Sequence, residues 1–115
     1  MSPVNMPVDV PAVTDDTFER EVLGRDGPVL LYFWAQWCPS CRMVAPVISR
    51  IAEERAGSLT VRRINADENP LTTRNQQVMS LPTLMLFLDG RPALTLVGAR
   101  SRARLLSEVD AALEG

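Results

Sequence analysis

The sequence predicts a single α/β domain: a central mixed β-sheet of about five strands flanked by about four helices. Three observations carry this. Strand-like and helix-like segments alternate in the order βαβαβα before a closing ββα, which calls for crossover helices early and an antiparallel hairpin late. Residues 28–34, PVLLYFW, form an almost unbroken apolar run, the pattern of a strand covered on both faces. Asp89-Gly90 stands between two apolar runs, a strong short-range signal for a tight hairpin. At 115 residues the chain has room for one such core and not for two.

Each element has its own warrant. Residues 8–13, VDVPAV, read as a first strand, with Pro11 marking a sheet edge. Thr14, Asp15 and Asp16 resemble a helix start, since carboxylates favour the positive end of the helix dipole. That helix turns Phe18 and Val22 inward and stops near Gly24 or Gly27. After the 28–34 strand the period changes. Val44, Val47, Ile48, Ile51 and Ala52 form one helical stripe ending before Gly57. Pro46, inside it, is expected to kink the helix. Residues 59–65 read as a third strand, 70–75 as a short helix, and 81–88 with 92–97 as the hairpin. Ser101 can cap a last helix that buries Leu105, Leu106, Val109 and Leu113. Arg100, Arg102 and Arg104 near its start read as a solvated basic rim.

Composition narrows the function. With 12 basic and 14 acidic side chains the formal charge is −2, which steers the protein toward neither nucleic acid nor an anionic membrane. The first ten residues lack a basic n-region and are broken by Pro3 and Pro7, so the expected compartment is the cytoplasm. No histidine is present, which excludes Cys-His nucleophilic catalysis and imidazole zinc sites. Two cysteines cannot supply a four-thiolate zinc ribbon within one chain, and no metal site is expected.

Both cysteines lie in the stretch FWAQWCPSCRM, residues 33–43. Cys38 falls at the first turn of a helix following a buried strand, and Cys41 one turn later on the same face. Free N–H groups and the helix dipole favour a thiolate there, and Pro39 suits a first helical turn. Lowering a thiol pKa from about 8.5 to about 7 raises the thiolate fraction about fifteen-fold at neutral pH. Reduced basicity takes back roughly fivefold in nucleophilicity. The larger advantage is that a second thiol attacks without having to diffuse. A surface disulfide closing so short a loop would constrain little chain entropy. Two inert core cysteines are the other bland reading. A redox dithiol explains the placement better than either.

These residues resemble the thioredoxin family over nearly the whole chain. WAQWCPSCR (34–42) looks like the family signature, Pro46 occupies the helix-kinking position, and Leu81-Pro82-Thr83 resembles the loop whose proline is cis. Asp89-Gly90 and Val97-Gly98-Ala99 match as well. The resemblance implies a flexible arm at residues 1–7 and a thioredoxin domain at 8–115. It implies a protein-disulfide oxidoreductase that reduces client disulfides, with Cys38 the exposed nucleophile and Cys41 the resolving thiol. Trp37, Pro39 and Ser40 would form the active-site loop. Pro82 would face the disulfide, the backbone of Leu81 would pair with an extended client segment, and Trp37, Gly98 and Ala99 would border an apolar docking groove. Trp34 reads as core. The protein would bind no cofactor beyond the Cys38–Cys41 disulfide, act as a monomer, and draw electrons from an NADPH-dependent flavoprotein reductase.

Two departures stand out. Pro39-Ser40 replaces the family's Gly-Pro, which leaves the reduction potential open and admits a thiol oxidant or isomerase. Tyr32 occupies the place of a buried aspartate that helps move a proton from the resolving cysteine, and Arg63 that of its accompanying lysine. A tyrosine with a pKa near 10 is no carboxylate-like base at neutral pH, so proton removal from Cys41 falls to water or a tyrosine hydrogen bond. That change also admits a binding or chaperone module without turnover.

Overall fold

The computed structural model describes residues 10–114. The expected arm, and the beginning of the expected first strand, lie outside these residues. A short helical segment ends in a π-helical turn, Glu19–Leu23, closed by the Gly24 N–H donating to the Glu19 carbonyl. It is followed by β1 (Pro28–Trp34), α1 (Pro39–Glu54), β2 (Thr60–Asn65), α2 (Pro70–Asn75), β3 (Thr83–Leu88), β4 (Arg91–Val97) and α3 (Arg102–Glu114). The sheet order is β2-β1-β3-β4; β1 runs parallel to β2 and antiparallel to β3, and β3 antiparallel to β4.

The central strand behaves as its apolar run requires. Every residue of β1 after Pro28 is buried, and alternate side chains enter two separate cores. Leu30, Tyr32 and Trp34 pack with Val44, Ile48 and Ile51 of α1 and with Leu105 and Val109 of α3. Val29, Leu31 and Phe33 pack on the opposite face with Phe18, Val22, Ile64 and Phe87. Fully burying one such side chain contributes about 1.5–3 kcal/mol, so β1 is where the two layers are joined.

Among the described residues, the strand expected at 8–13 shows a single bridge. Ala12 pairs with Arg63, held by the Arg63 N–H on the Pro11 carbonyl at 3.1 Å and the Val13 N–H on the Arg63 carbonyl at 2.7 Å. Pro11 has no N–H to extend the ladder, and at Thr14 the chain turns away into the helical segment. The hairpin forms as Asp-Gly demands: Asp89 and Gly90 both have positive φ, 50° and 83°. At Gly90 a Cβ would collide with the Leu23 carbonyl, so the turn closes against the end of the π-helical segment only with glycine there. At the far end Ser101 does cap α3, its Oγ accepting the Arg104 N–H at 3.2 Å.

Three expectations are corrected. Leu113 is 37% exposed, because α3 buries only Leu105 and Val109 fully. The basic rim dissolves into ion pairs: Arg100 and Arg104 meet Glu108 at 2.7 and 3.9 Å, and Arg102 meets Glu54 at 3.0 Å. Asp15 serves a helix other than its own. Its carboxylate accepts the N–H groups of Leu71 at 3.2 Å and Thr72 at 2.8 Å, while its own N–H donates to Asn69 Oδ1 at 2.8 Å. Asn69, at the N-cap position of α2, makes no side-chain cap, so the cap comes from 54 residues away.

Partial burial pushes the Asp15 carboxyl up, but the hydrogen bonds from Thr72 and Leu71 outweigh it and hold the group below its ordinary value. A depressed folded-state pKa stabilises the protein above the unfolded carboxylate range and is lost as pH falls through the folded value. Asp15→Ala should therefore cost about 1 kcal/mol at neutral pH, the usual worth of a cap. The deficit should shrink as pH falls through the folded-state value, which lies below the ordinary aspartate value of about 4. Urea melts at neutral and acid pH check this; a deficit independent of pH contradicts the cap.

Candidate functional site

The site forms where β1 ends and α1 begins. After Trp34 the chain turns through Ala35, whose carbonyl accepts the Cys38 N–H at 3.2 Å. Cys38 is the N-cap of α1, in extended backbone conformation, and Pro39 occupies the first helical position. An N-cap side chain normally offers oxygen to a first-turn N–H. Here the acceptor is sulfur: Cys38 Sγ receives the Cys41 N–H at 3.2 Å and lies 3.6 Å from the Ser40 hydroxyl. The two cysteines are joined as a disulfide, their Cα atoms 5.3 Å apart.

That placement corrects the expectation of an exposed nucleophile. Cys38 is only 2% exposed and Cys41 fully buried. The reason is the cap itself, which turns the Cys38 sulfur back over the first turn and into the cluster containing Trp34, Ala35 and Val44. Cys38 is the outer of the two sulfurs by a narrow margin.

The surrounding residues come from four loops. Trp37 is 64% exposed, and its indole Nε1 donates to Asp67 Oδ2 at 2.8 Å. Asp67 lies just beyond β2, in a turn where Asn65 Oδ1 accepts the Asp67 and Glu68 N–H groups. Leu81-Pro82 is a cis peptide preceding β3. The Pro82 carbonyl accepts the Gly98 N–H at 2.9 Å, which brings the loop after β4 to the same place. Pro82 is buried, Leu81 half-buried and Ala99 exposed.

Trp37, Asp67, Val78, Met79, Ser80 and Leu81 contribute to a cavity of about 190 Å³. A larger one of about 710 Å³ adjoins it through Ala66, Thr73, Val78 and Met79. Gly98 and Ala99 line neither; Gly98 is tied to the site through Pro82. Asp67 and Met79 were not singled out from the sequence. An exposed tryptophan invites a search for an indole acceptor, but nothing in the sequence names Asp67. Met79, 94% exposed, sits in an unremarkable polar stretch.

The two auxiliary residues part company. Tyr32 is fully buried and its hydroxyl donates to the Cys41 carbonyl at 2.6 Å, a backbone contact rather than one to sulfur. Burial pushes its phenol well above the ordinary value, so it stays neutral. Arg63 lies beside Tyr32 in the β1–β2 register, but its Nε donates to the Val10 carbonyl at 2.9 Å. It holds the N-terminal segment to the sheet. Trp34 is 7% exposed and belongs to the core.

Such a site can exchange one disulfide for another. A sulfur at a helix N-terminus and a second sulfur at bonding distance are what thiol–disulfide exchange needs. Among the described residues no group of His, Cys, Asp and Glu is arranged to hold a metal ion.

Comparison with known proteins agrees. The thioredoxin family model matches residues 9–111. A thioredoxin from Mycobacterium tuberculosis is 54% identical over 98 residues, covering 85% of this chain and 84% of that protein. One from Mycolicibacterium smegmatis is 52% identical over 104 residues, covering 89% and 93%. The bifunctional thioredoxin reductase/thioredoxin of Mycobacterium leprae is 46% identical over 98 residues, covering 85% of this chain and 21% of that protein.

Ser40 offers the one side-chain hydroxyl beside Cys38 Sγ. In the reduced protein Ser40→Ala should slow Cys38 alkylation at neutral pH by roughly threefold, the worth of a hydrogen bond of under about 1 kcal/mol. Iodoacetamide alkylation against pH measures it; an unmoved curve would show that the hydroxyl does not stabilise the thiolate.

Proposed function

The chain belongs to the thioredoxin family, and on that premise we propose how its residues divide the work of a protein-disulfide reductase. The overall reaction is dithiol–disulfide exchange through the Cys38–Cys41 redox centre. In the proposed division, the Cys38 thiolate attacks a client disulfide; one client sulfur leaves as a thiolate and takes a proton from water. Cys41 then gives up its proton and attacks Cys38, releasing the second client thiolate and closing the protein disulfide. Two electrons pass to the client, and both of its thiolates take their protons from water, to which Cys38 and Cys41 have released theirs. The observation that carries the assignment is the capped turn: Cys38 Sγ faces the Cys41 N–H at the start of a helix, where developing negative charge is stabilised. Cys41, with no exposure, is placed for the internal step.

The client segment is proposed to lie over Trp37 and the Leu81-Pro82 loop, pairing with the backbone of Leu81. Pro39 and Ser40 shape the outer side of the turn. Gly98 and Ala99 support it from the loop after β4. An NADPH-dependent flavoprotein of the thioredoxin-reductase kind is the proposed electron donor. The joining of a thioredoxin reductase and a thioredoxin in the Mycobacterium leprae relative supports that pairing. The protein is proposed to act as a cytoplasmic monomer. Among the described residues no helix is long and apolar enough to cross a membrane.

Cys38→Ser should abolish insulin-disulfide reduction. Cys41→Ser should form a mixed disulfide with the client that persists until an external thiol releases it. Full activity in Cys38→Ser, or no trapped adduct in Cys41→Ser, overturns the assignment of roles.

A further inference from the structure

Tyr32 is an expensive choice for its position. It sits in the middle of the central strand, fully buried, in the same cluster as both cysteines. Phenylalanine would fill the same space, whereas a buried hydroxyl costs free energy unless it is hydrogen-bonded. This one is bonded, and to one atom: the Cys41 carbonyl, at 2.6 Å. A carbonyl oxygen has two lone pairs and a helix hydrogen bond occupies only one, so the phenol adds a contact the helix does not need. The contact crosses from β1 to the turn of α1 that carries the resolving sulfur.

Proton transfer is a poor account of it. Burial keeps the phenol neutral, and its hydrogen is committed to a backbone oxygen. Among the described residues no acidic side chain is buried, so no carboxylate stands beside Cys41 as a base. What the bond can do is fix geometry. In the resolving step Cys41 Sγ, having released its proton to water, must approach Cys38 Sγ along the line of the Cys38–client bond. The Cys38–Cys41 bond forms as that bond breaks, and the client sulfur leaves with the electron pair. Small misplacement of a reacting atom is enough to slow such a step severely.

We propose that Tyr32 is a positioning residue for the resolving step, its hydroxyl holding the Cys41 backbone so that Sγ is aimed at Cys38. This rests on the reading that Cys38 attacks and Cys41 resolves. The bond bears on the second half of the exchange, because the Cys38 backbone is held separately, by its N–H on the Ala35 carbonyl.

The test follows both halves, with insulin as client. Tyr32→Phe keeps the ring and removes the donor. Attack by Cys38, read as stopped-flow formation of the insulin adduct in a Cys41→Ser background, should be unchanged. Resolution, read as the lifetime of the acid-quenched mixed disulfide with Cys41 present, should lengthen about three- to tenfold. Equal slowing of both steps would mean general loosening of the fold and overturns the proposal, as does no change in either. Tyr32 is the only tyrosine in the chain, so biosynthetic 3-fluorotyrosine labels this position alone. It keeps a donor, and a stronger one. Its mixed disulfide should resolve as fast as the unmodified protein's or faster, and slower resolution refutes the idea even if Tyr32→Phe does not fold. Failure of the Cys41→Ser protein to form any adduct would instead sink the division of labour between the cysteines.

Discussion

The structure depends on one junction, the passage from the last residue of β1 into the first turn of α1. Four residues separate Trp34, buried in the core, from Pro39, exposed at the helix start. Within that distance the chain must leave a sheet, reverse its hydrogen-bonding pattern and place a side chain over the N–H groups of the first helical turn. The Cys38 sulfur meets the last demand and is also the reacting atom. The redox centre is therefore part of the fold's own hydrogen bonding. Its position is inherited from the packing of Val44, Ile48 and Ile51 against β1. That stripe anchors the helix along its length, and within its first turn the Tyr32 hydroxyl holds the Cys41 carbonyl.

The same economy explains residues whose roles would be misjudged in isolation. Asp15 stands in a run of helix-starting residues, yet it closes the N-terminus of α2, which lacks a cap of its own. This fixes the segment from Asn69 to Thr72, and through it the walls of the larger cavity at Pro70 and Thr73. Arg63 sits beside Tyr32 and could have served the cysteines. Its guanidinium turns instead toward the Val10 carbonyl, giving a donor to a segment that Pro11 leaves short of them. In both cases a charged group satisfies backbone atoms stranded by a short helix or a proline. Such groups are common at the borders of elements and carry no signature in local sequence.

Legibility in the sequence followed the same line. The apolar run of β1, the stripe on α1, the Asp-Gly hairpin and the Ser101 cap are local patterns, and each element appears where its residues place it. Both cysteines, Trp37 and the Leu81-Pro82 loop could be named for the site because motif and spacing carry them. What escaped depends on distant partners. Residues 8–13 have the composition of a strand, but among the described residues they pair only through the Ala12–Arg63 bridge, next to Pro11, which has no N–H to donate. Arg100, Arg102 and Arg104 look unpaired until the fold brings Glu54 and Glu108 alongside. Asp67 becomes visible only as the acceptor for the Trp37 indole, 30 residues away. The hydroxyl of Tyr32 could not be assigned a partner before the helix was laid over the strand.

Burial of the redox pair sets a condition on how any client is reduced. In the disulfide-bonded state the outer sulfur has almost no exposed surface, so a thiol cannot reach it by collision from any direction. Approach must come along a line that the surrounding loops leave open; Trp37, next to Cys38 in the chain, lines a cavity with Leu81 and Met79. Met79, almost wholly exposed, has a flexible thioether that adapts to many shapes, while Trp37 is held by Asp67 and offers a fixed face. One wall is rigid and the other yields. A client segment that covers both removes water from around the sulfur as it docks, strengthening the local electrostatics on which thiolate exchange depends. On the proposed docking, selectivity resides in which segments can lie across those two surfaces, and reactivity in the helix turn beside them.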